Sequence, residues 1–362
     1  MTKRVYNLNP GPAILPEPVL EEMKENLVSL PGVGMSVLEI SHRSSTFENM
    51  LNGAIEDMRK LANIPANYHI LFVGGGASTQ FSMIPMNFMP LKNKADYIVT
   101  GAWSKKAVKE AKRIGTVNIS ATTESENFKR IPKQEEMKFD PEASYVHFTS
   151  NNTIFGTQFF TEPIVGDVPL ICDASSDIFS RAVDFSKYAA VYAGAQKNLG
   201  PAGVTLVIIR DDMMARCSDS LHTMLNYKTH VENNSLYNTP PVFGIYVISL
   251  VLKWLLKNGG IDAMAKLNDE KAKLLYDCID NSSGYFTGHA EKESRSKMNI
   301  PFRLPSEELE KKFVKESADS GFAGLKGHRS VGGLRASIYN AFPLQGVKDL
   351  VDFMKEFQKK NS

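Results

Sequence analysis

The stretch that decides the fold is HILFVGGGASTQFSMIPMNF, residues 69–88. It opens with the apolar run His69–Val73, passes through three consecutive glycines and ends in the apolar segment Phe81–Phe88. A short apolar run is typical of a buried strand, and a longer apolar segment is typical of a packed helix. A strand that turns through glycines into a helix is the repeating unit of α/β proteins. The stretch therefore predicts an α/β domain with a mainly parallel sheet.

The same alternation of strand and helix continues along the chain. The further predicted strands are Tyr97–Thr100, Tyr145–Thr149, Pro169–Cys172, Tyr188–Ala193, Val204–Ile209 and Met298–Leu304. The further predicted helices are segments 16–27, 47–61, 104–113, 242–256, 261–279, 307–320 and 347–359. Helices dominate after Gly259-Gly260, so we expect a domain boundary between residues 255 and 265.

Composition and charge exclude several classes of protein. The chain has 362 residues, of which 43% are hydrophobic and 23% charged, as in ordinary folded proteins. Its length favours two domains. A net charge of only +2 argues against a nucleic-acid-binding protein, since binding phosphates needs a strong basic excess. The pairs Lys105-Lys106 and Lys311-Lys312 are short and lie in helical patterns, and we interpret them as solvated helix faces.

Cysteine use and apolar segments indicate the compartment. The three cysteines are widely spaced and odd in number, which fits neither a disulfide framework nor a metal site. We therefore expect a reducing, cytoplasmic location and no metal. The N-terminus lacks the apolar core of a signal peptide. The longest apolar stretch, Val242–Leu256, is shorter than the roughly 20 residues of a membrane span, so no membrane association is expected.

The glycine turn Gly74–Thr79 is the first segment that could carry chemistry. Backbone N–H groups at the start of a helix bind anions, and the helix dipole strengthens the attraction. The segment lacks the lysine of a nucleotide-binding P-loop. A tight turn without a ligand explains it equally well when it is considered alone.

Two further segments place an acid and a lysine after predicted strands. Asp173 follows a strand at the edge where open α/β sheets bind ligands, although a helix cap is the favoured explanation for this residue alone. Lys197 lies between small residues and the Gly200-Pro201 turn. Crowding of this kind lowers the pKa of a lysine and makes it a nucleophile toward aldehydes, whereas a solvated surface lysine is the alternative.

Together the three segments match one cofactor, pyridoxal 5'-phosphate. This cofactor has a phosphate for a helix N-terminus, a ring nitrogen for an acid and an aldehyde for a lysine. Trp103 follows the predicted strand Tyr97–Thr100, where its face could stack on the ring; a core tryptophan is the alternative.

On these motifs the sequence resembles the phosphoserine aminotransferase family, which consists of fold-type-I, class V pyridoxal-phosphate enzymes. The matching segments are Asn7–Pro12, Ile40–Ser44, Gly75–Ser78, Gly101–Ser104, Asn151–Gly156, Asp173–Ser176, Ala195–Asn198, Tyr237–Pro241, Gly327–Arg329 and Gly333–Asn340. The resemblance implies a large cofactor-binding domain, residues 16–258, with a mixed, mostly parallel seven-stranded sheet. It implies a smaller α+β domain from residues 1–15 and 259–362, and a homodimer whose active sites are shared across the interface.

The resemblance also implies roles for individual residues. Lys197 would form the Schiff base and shuttle a proton, and Asp173 would hold the proton of the ring nitrogen. The other implied cofactor contacts are Trp103 and Thr153 at the ring, Ala77, Ser78 and Gln196 at the phosphate, and Asn238 and Thr239 from the partner subunit. The implied substrate-binding residues are His42 and Arg43 across the interface, and His328, Arg329 and Arg335, the last as the α-carboxylate clamp.

The family's reaction moves the amino group of L-glutamate to 3-phosphohydroxypyruvate, giving O-phospho-L-serine and 2-oxoglutarate in two half-reactions of serine biosynthesis. Both substrates carry two anionic ends, which suits arginines that bind carboxylate and phosphate in bidentate fashion. Some members also serve pyridoxine biosynthesis, and the sequence leaves that open.

Some members carry an arginine at the position of Ser78, so one substrate-phosphate contact is missing here or is supplied by another residue. Three other functions stay open. A glyoxylate aminotransferase is disfavoured by the two His-Arg pairs, and a cysteine desulfurase is disfavoured because no cysteine lies in an evidently mobile loop. A cofactor-binding regulatory protein is disfavoured by the intact Asp173 and Lys197.

Overall fold

A computed structural model describes residues 4–362. Residues 1–3 lie outside the described part of the chain. They belong to the predicted small-domain segment 1–15 and to the N-terminal stretch in which no signal peptide is expected. The strands are β1 Tyr6–Asn7, β2 Tyr68–Val73, β3 Lys94–Val99, β4 Thr116–Thr122, β5 Val146–Thr149, β6 Asn151–Asn152, β7 Thr157–Gln158, β8 Leu170–Asp173, β9 Ala190–Gly194, β10 Thr205–Arg210, β11 Thr287–Gly288, β12 Asn299–Arg303, β13 Phe322–Ala323 and β14 Leu334–Ser337. The α-helices are α1 Glu17–Asn26, α2 Ser45–Ala62, α3 Gly76–Phe88, α4 Ala102–Ala111, α5 Tyr227–Glu232, α6 Val242–Lys257, α7 Gly260–Asp280, α8 Glu307–Asp319 and α9 Leu344–Asn361.

Seven strands form the central sheet in the order β2-β10-β9-β8-β5-β3-β4. The strand β10 runs antiparallel to both of its neighbours, and the other pairings are parallel. The prediction of a mixed, mostly parallel seven-stranded sheet is therefore confirmed. Because the parallel strands share one direction, their carboxyl ends, and the loops that follow them, meet along a single edge.

Both faces of the sheet are covered, and β2 shows how the sequence achieves this. Ile70 and Phe72 enter the core beneath α2 and α6, whereas Leu71 and Val73 enter the core beneath α3 and α4. Side chains of a strand alternate between faces, so a strand buried on both sides has to be apolar throughout. This explains the continuous apolar runs of the central strands.

The sequence missed the edge strand β4, Thr116–Thr122. It pairs only with β3, and four of its first five residues are exposed or partly exposed. An edge strand with one solvated face carries no apolar run, so the signal used for the other strands is absent. The helix α3 begins five residues before the predicted Phe81, because the last glycine of the turn is already its first residue.

A third apolar core, besides the two that cover the faces of the sheet, contains residues from both ends of the chain. Leu8 and Ile14 pack with apolar side chains of α7, α9, β12 and β14, and β1 pairs in parallel with β13. This core supports the division into residues 16–258 and the segments 1–15 and 259–362, which stays a prediction. Within the described part of the chain, no single helix is long and apolar enough to cross a membrane; α6 and α7 reach that composition only as a pair bent by 82°.

A completely buried lysine holds the turn that follows β14. The Nζ atom of Lys271, on α7, donates to the carbonyl oxygens of Ile338, Tyr339, Asn340 and Phe342 at 2.8–3.4 Å. The side chain has no solvent-exposed surface. Burial lowers the pKa of Lys271 to about 7, and a buried amino group is stable only when its N–H groups are bonded; here four carbonyl groups supply the acceptors.

Replacing this lysine is expected to destabilise the fold strongly. In Lys271→Met a chain of similar length leaves the four carbonyl groups without their shared donor, and we expect the free energy of unfolding to fall by about 3 kcal/mol or more. Urea unfolding followed by circular dichroism measures the change. The control is Lys273→Met, which removes an exposed ion pair with Asp277 and should cost at most about 1 kcal/mol. Equal losses in the two variants would contradict the role given to Lys271.

Candidate active site

A cavity of about 130 Å³ opens at the carboxyl edge of the central sheet. Its walls come from the segments that follow β2, β3, β5, β8 and β9. The lining residues are Gly76, Ala77, Ser78, Phe81, Trp103, Thr149, Asn151, Thr153, Asp173, Ser175, Ser176, Gln196 and Lys197. Seven of the predicted site residues therefore share one cavity, namely Ala77, Ser78, Trp103, Thr153, Asp173, Gln196 and Lys197.

The glycine turn ends β2 and aims the start of α3 at the cavity. Gly75 has φ +89°, and a Cβ atom there would lie 2.0 Å from the Thr79 hydroxyl, so only glycine fits. The Thr79 hydroxyl bonds back to the Gly75 carbonyl at 3.0 Å. No side chain caps this helix, and Gly76, Ala77 and Ser78 of its first turn line the cavity. Uncapped N–H groups of a thirteen-residue helix form an anion site.

Lys197 lies in a tight turn directly after β9. The N–H groups of Leu199 and Gly200 both donate to the Ala195 carbonyl, at 3.1 and 2.8 Å, which closes the turn around the lysine. Gly11 of the N-terminal segment packs so closely that a Cβ atom there would lie 3.3 Å from the Lys197 Cγ atom.

The amine of Lys197 has a lowered pKa. Its Nζ atom donates to the Thr153 hydroxyl at 2.9 Å. The pKa of Lys197 is lowered to about 8, chiefly by burial; the charge of Asp173 opposes the shift, and the charge of Arg335 adds to it. About a tenth of the amine is therefore neutral, and nucleophilic, at pH 7, far more than for a solvated lysine.

Asp173 ends β8 on the floor of the cavity and is buried. Burial raises its pKa, whereas hydrogen bonds from Ser175 and the charge of Lys197 lower it. The Ser175 hydroxyl and N–H both donate to the same oxygen, Oδ1, at 2.6 and 3.0 Å. The Ser175 hydroxyl also accepts from the Gly194 N–H at 3.1 Å, which ties the carboxylate to β9. The carboxylate is thus fixed in orientation, with one oxygen bonded to the protein.

Trp103 is positioned by the start of α4. The buried Ser104 hydroxyl accepts from the N–H groups of Thr100 and Gly101, both at 3.1 Å, and donates to the Gly101 carbonyl at 2.9 Å. These bonds fix the first turn of the helix and with it the indole, whose ring centroid lies 5.9 Å from the Lys197 Nζ atom. The buried indole N–H has no hydrogen-bond partner in the described residues.

Arg335 approaches the cavity from the other side. It lies on β14, is 5% exposed, and donates to the Thr153 carbonyl at 3.2 Å. Its Nε atom is buried without a partner in the described part of the chain. Burial lowers the pKa of Arg335, which is expected of a cation without a counterion. The arrangement leaves a buried guanidinium group free to bind an anion beside Lys197.

The remaining predicted residues do not line this cavity. Asn238 and Thr239 are exposed, and His42 and Arg43 lie in the turn before α2. His328 and Arg329 line a separate cavity of about 510 Å³.

Five lining residues were not predicted from the sequence: Phe81, Thr149, Asn151, Ser175 and Ser176. Three of them lie inside the quoted motifs Asn151–Gly156 and Asp173–Ser176, so their spacing from Asp173 and Thr153 was the available signal. Thr149 ends β5 one strand away from Asp173, and its buried hydroxyl has no partner in the described residues. Only the pairing of β5 with β8 brings it into the site.

The cavity fits pyridoxal 5'-phosphate. The uncapped start of α3 suits the phosphate, Asp173 suits a ring nitrogen, and the face of Trp103 suits an aromatic ring. The unpartnered Thr149 hydroxyl gives the site a further polar group for a ligand. Lys197 supplies the amine for the aldehyde.

Comparisons with known proteins agree with this geometry. The sequence profile of the family described as aminotransferase class-V matches residues 5–350. The phosphoserine aminotransferase of Lysinibacillus sphaericus (strain C3-41) is 54% identical to this chain over 361 residues, which cover 100% of both proteins. The solved phosphoserine aminotransferase from Bacillus circulans subsp. alkalophilus matches with a TM-score of 0.98 and 52% identity over 99% of both chains. The pyridoxal-phosphate-bound phosphoserine aminotransferase from Trichomonas vaginalis matches with a TM-score of 0.93 and 40% identity, over 97% of this chain and 100% of that one.

Identity at this level over the whole chain goes together with a shared fold and a shared cofactor chemistry. The chain therefore belongs to the phosphoserine aminotransferases, which are pyridoxal-phosphate-dependent transaminases of class V.

Proposed function

We propose that this chain transfers the amino group of L-glutamate to 3-phosphohydroxypyruvate, giving 2-oxoglutarate and O-phospho-L-serine, with the residues of the cavity in the roles given below. One observation supports this most directly. The half-buried amine of Lys197 and the carboxylate of Asp173 face one cavity, next to the guanidinium group of Arg335, which has no counterion among residues 4–362.

Lys197 is the residue that moves the proton. The cofactor supplies an aldehyde that binds amino groups and an aromatic ring that accepts the electron pair of the substrate's Cα–H bond. The Lys197 Nζ atom, once free of the aldehyde, takes the proton from Cα and delivers it within the cavity. Its lowered pKa suits both acceptance and release of a proton near neutral pH. The hydrogen bond to the Thr153 hydroxyl orients the amine.

Asp173 keeps the ring nitrogen protonated. Ser175 occupies its Oδ1 atom, so we assign the second oxygen to the ring. A buried carboxylate is costly unless it is paired with a cation, and a protonated ring nitrogen provides one. Trp103 stacks on the ring, and the start of α3, with Gln196, holds the phosphate.

The substrate's anionic ends are bound by cations. Arg335 binds the α-carboxylate, because it is buried beside Thr153 and its Nε atom is unpartnered. His328 and Arg329 line a cavity of their own, but the charge of Arg335 reaches His328, so we assign both residues to the distal anionic group. Arginine and carboxylate pair in a planar, bidentate geometry, which fixes the Cα–H bond in front of Lys197.

We further propose a homodimer in which Asn238 and Thr239 reach the phosphate of the partner's cofactor, and His42 and Arg43 reach the partner's substrate. All four lie away from their own cavity. Exposed apolar side chains flank both segments: Leu27, Val28, Met35 and Leu38 precede the first, and Tyr237 adjoins the second. Exposed apolar patches of this kind mark protein interfaces.

The three cysteines bear on the alternatives and on location. Cys172, Cys217 and Cys278 are all buried and free. A desulfurase needs a cysteine that can reach the substrate, and none of these can without unfolding its surroundings. Free thiols also suit the reducing cytoplasm, where we place the protein.

The substrates are tested by the absorbance of the bound cofactor. L-glutamate should bleach the yellow holoenzyme, and 3-phosphohydroxypyruvate should restore the colour, because the two half-reactions run in opposite directions. Glyoxylate and oxaloacetate should not restore it, since neither presents a phosphate. Lys197→Ala should abolish turnover, and Lys187→Ala, which removes a surface ion pair, should not. Restoration by glyoxylate alone would overturn the substrate, and a protein that takes up no cofactor would overturn the role of Lys197.

The pKa of Lys197 makes a second prediction for the cofactor-free protein. Only the neutral amine attacks the aldehyde, so the rate of cofactor uptake should rise with pH around a midpoint near 8. The charge of Asp173 raises this pKa, so Asp173→Asn should move the midpoint to lower pH. Stopped-flow absorbance from about pH 6 to 10 gives the profile. Asp184→Asn, a surface carboxylate, is the control. A midpoint near that of free lysine, or a shift to higher pH in Asp173→Asn, would be incompatible with the assignment.

Sharing of the site across the dimer is tested by complementation. Lys197→Ala and Arg43→Ala chains should each be nearly inactive. After subunit exchange in an equal mixture, half the dimers carry one intact site of two, so about a quarter of wild-type activity should return. Sedimentation measures the mass of the mixture. A dimer that regains no activity would mean that Arg43 serves its own subunit's site.

A further inference from the structure

The two neighbouring lysines of α4 have different surroundings. Lys105 pairs with Glu124 on the outer surface, as a solvated helix residue would. Lys106 forms no ion pair with any residue between 4 and 362, and its Nζ atom lies 4.2 Å from the centroid of the Trp103 ring. Both lysines are exposed on α4, as the sequence predicts, but Lys106 in addition contacts the Trp103 ring. The Lys197 Nζ atom lies 5.9 Å from the centroid of the same ring, so a single indole separates Lys106 from the active-site amine.

Lys106 belongs to a group of cations without counterions. Besides burial, the charges of Arg335, Arg329 and Lys106 lower the pKa of His328, so all three cations lie within electrostatic range of this residue. In the described part of the chain none of them forms an ion pair, whereas the nearby Arg303 is bonded to Glu310. Uncompensated positive charges in one place repel each other and are stabilised by an anionic ligand.

The two cations Arg335 and Lys106, one buried and one exposed, match the two anionic groups of a phosphorylated keto acid. The carboxylate of such a substrate adjoins the reacting carbon and has to lie near Lys197, where the buried Arg335 is found. The phosphate is on the far carbon and points outward. Lys106 is an exposed residue whose Nζ atom lies over the Trp103 ring, so its ammonium group is accessible to an outward-pointing phosphate. A flexible ammonium group is well suited to a phosphate, which it binds as a point charge.

We propose that Lys106 binds the phosphate of the keto-acid substrate and sets the preference for phosphorylated over unphosphorylated keto acids. The proposal rests on the proposed function and extends its set of binding residues. It also identifies a cation for the contact that an arginine at the position of Ser78 would provide. The cation–π contact with Trp103 restrains the ammonium group beside the indole before the substrate arrives.

The test compares Lys106→Gln, Lys106→Arg and the control Lys105→Gln in the holoenzyme, with each half-reaction followed separately by cofactor absorbance. In Lys106→Gln, kcat/KM for 3-phosphohydroxypyruvate should fall about 10- to 100-fold, as expected for loss of a charge-assisted contact. The value for unphosphorylated hydroxypyruvate should change less than about threefold, because that substrate has no phosphate to lose. Lys106→Arg should recover most of the loss, and Lys105→Gln should match the wild type.

Equal losses for the phosphorylated and unphosphorylated keto acids would overturn the proposal, since Lys106 would then act on Trp103 or on the fold. Weaker binding of pyridoxal phosphate by Lys106→Gln, measured by titration of the cofactor-free protein, would overturn it for the same reason. A failure of the proposed function would give a different result from a failure of the role of Lys106. In that case the wild type itself would show no preference for the phosphorylated keto acid.

Discussion

The structure depends on one constraint: an amine that is nucleophilic at neutral pH has to be dehydrated, and a dehydrated lysine has to be held by its surroundings. Lys197 meets this constraint at the end of β9. The N-terminal segment packs on its side chain through Gly11, Thr153 accepts its hydrogen bond, and Asp173 provides the opposite charge. These three neighbours come from distant parts of the chain, so the lowered pKa is a property of the fold and not of the local sequence.

The C-terminal part of the chain is held to this lysine by buried polar contacts. The Asn198 side chain accepts from the Asn340 N–H at 3.0 Å, and the Asn340 side chain donates to the Phe179 carbonyl at 3.0 Å. Lys271 binds the carbonyl groups of the same turn. This turn follows β14, which carries Arg335. The contacts that stabilise the third core therefore also fix the distance between the carboxylate-binding arginine and the amine.

Much of the fold could be predicted because buried parallel strands are apolar on both faces, which makes them easy to recognise. The strands β2, β9 and β10 were predicted to within two residues of their observed bounds at each end. The edge strand β4 was missed because an edge strand is partly solvated. Polar and apolar residues alternate along it, so no continuous apolar run marks it. Trp103 and Asp173 had ordinary explanations when considered singly; their meaning came from combining them with Lys197 and the glycine turn. Lys106 is exposed on its helix as predicted, but its contact with Trp103 could not be predicted, because the sequence does not show which side chains a surface lysine meets.

The sequence by itself determined the class of chemistry, since a glycine turn, an acid and a crowded lysine at strand ends match one cofactor, and the residues around them match one family. Only the tertiary structure decided which side chains meet. The pairing order of the sheet brings Thr149 beside Asp173, and β14 places Arg335 against Thr153 from the far end of the chain. The physical reason is that residue type and spacing encode local conformation and reactivity, whereas pKa values and unpaired charges arise from burial, which depends on contacts between segments remote in sequence.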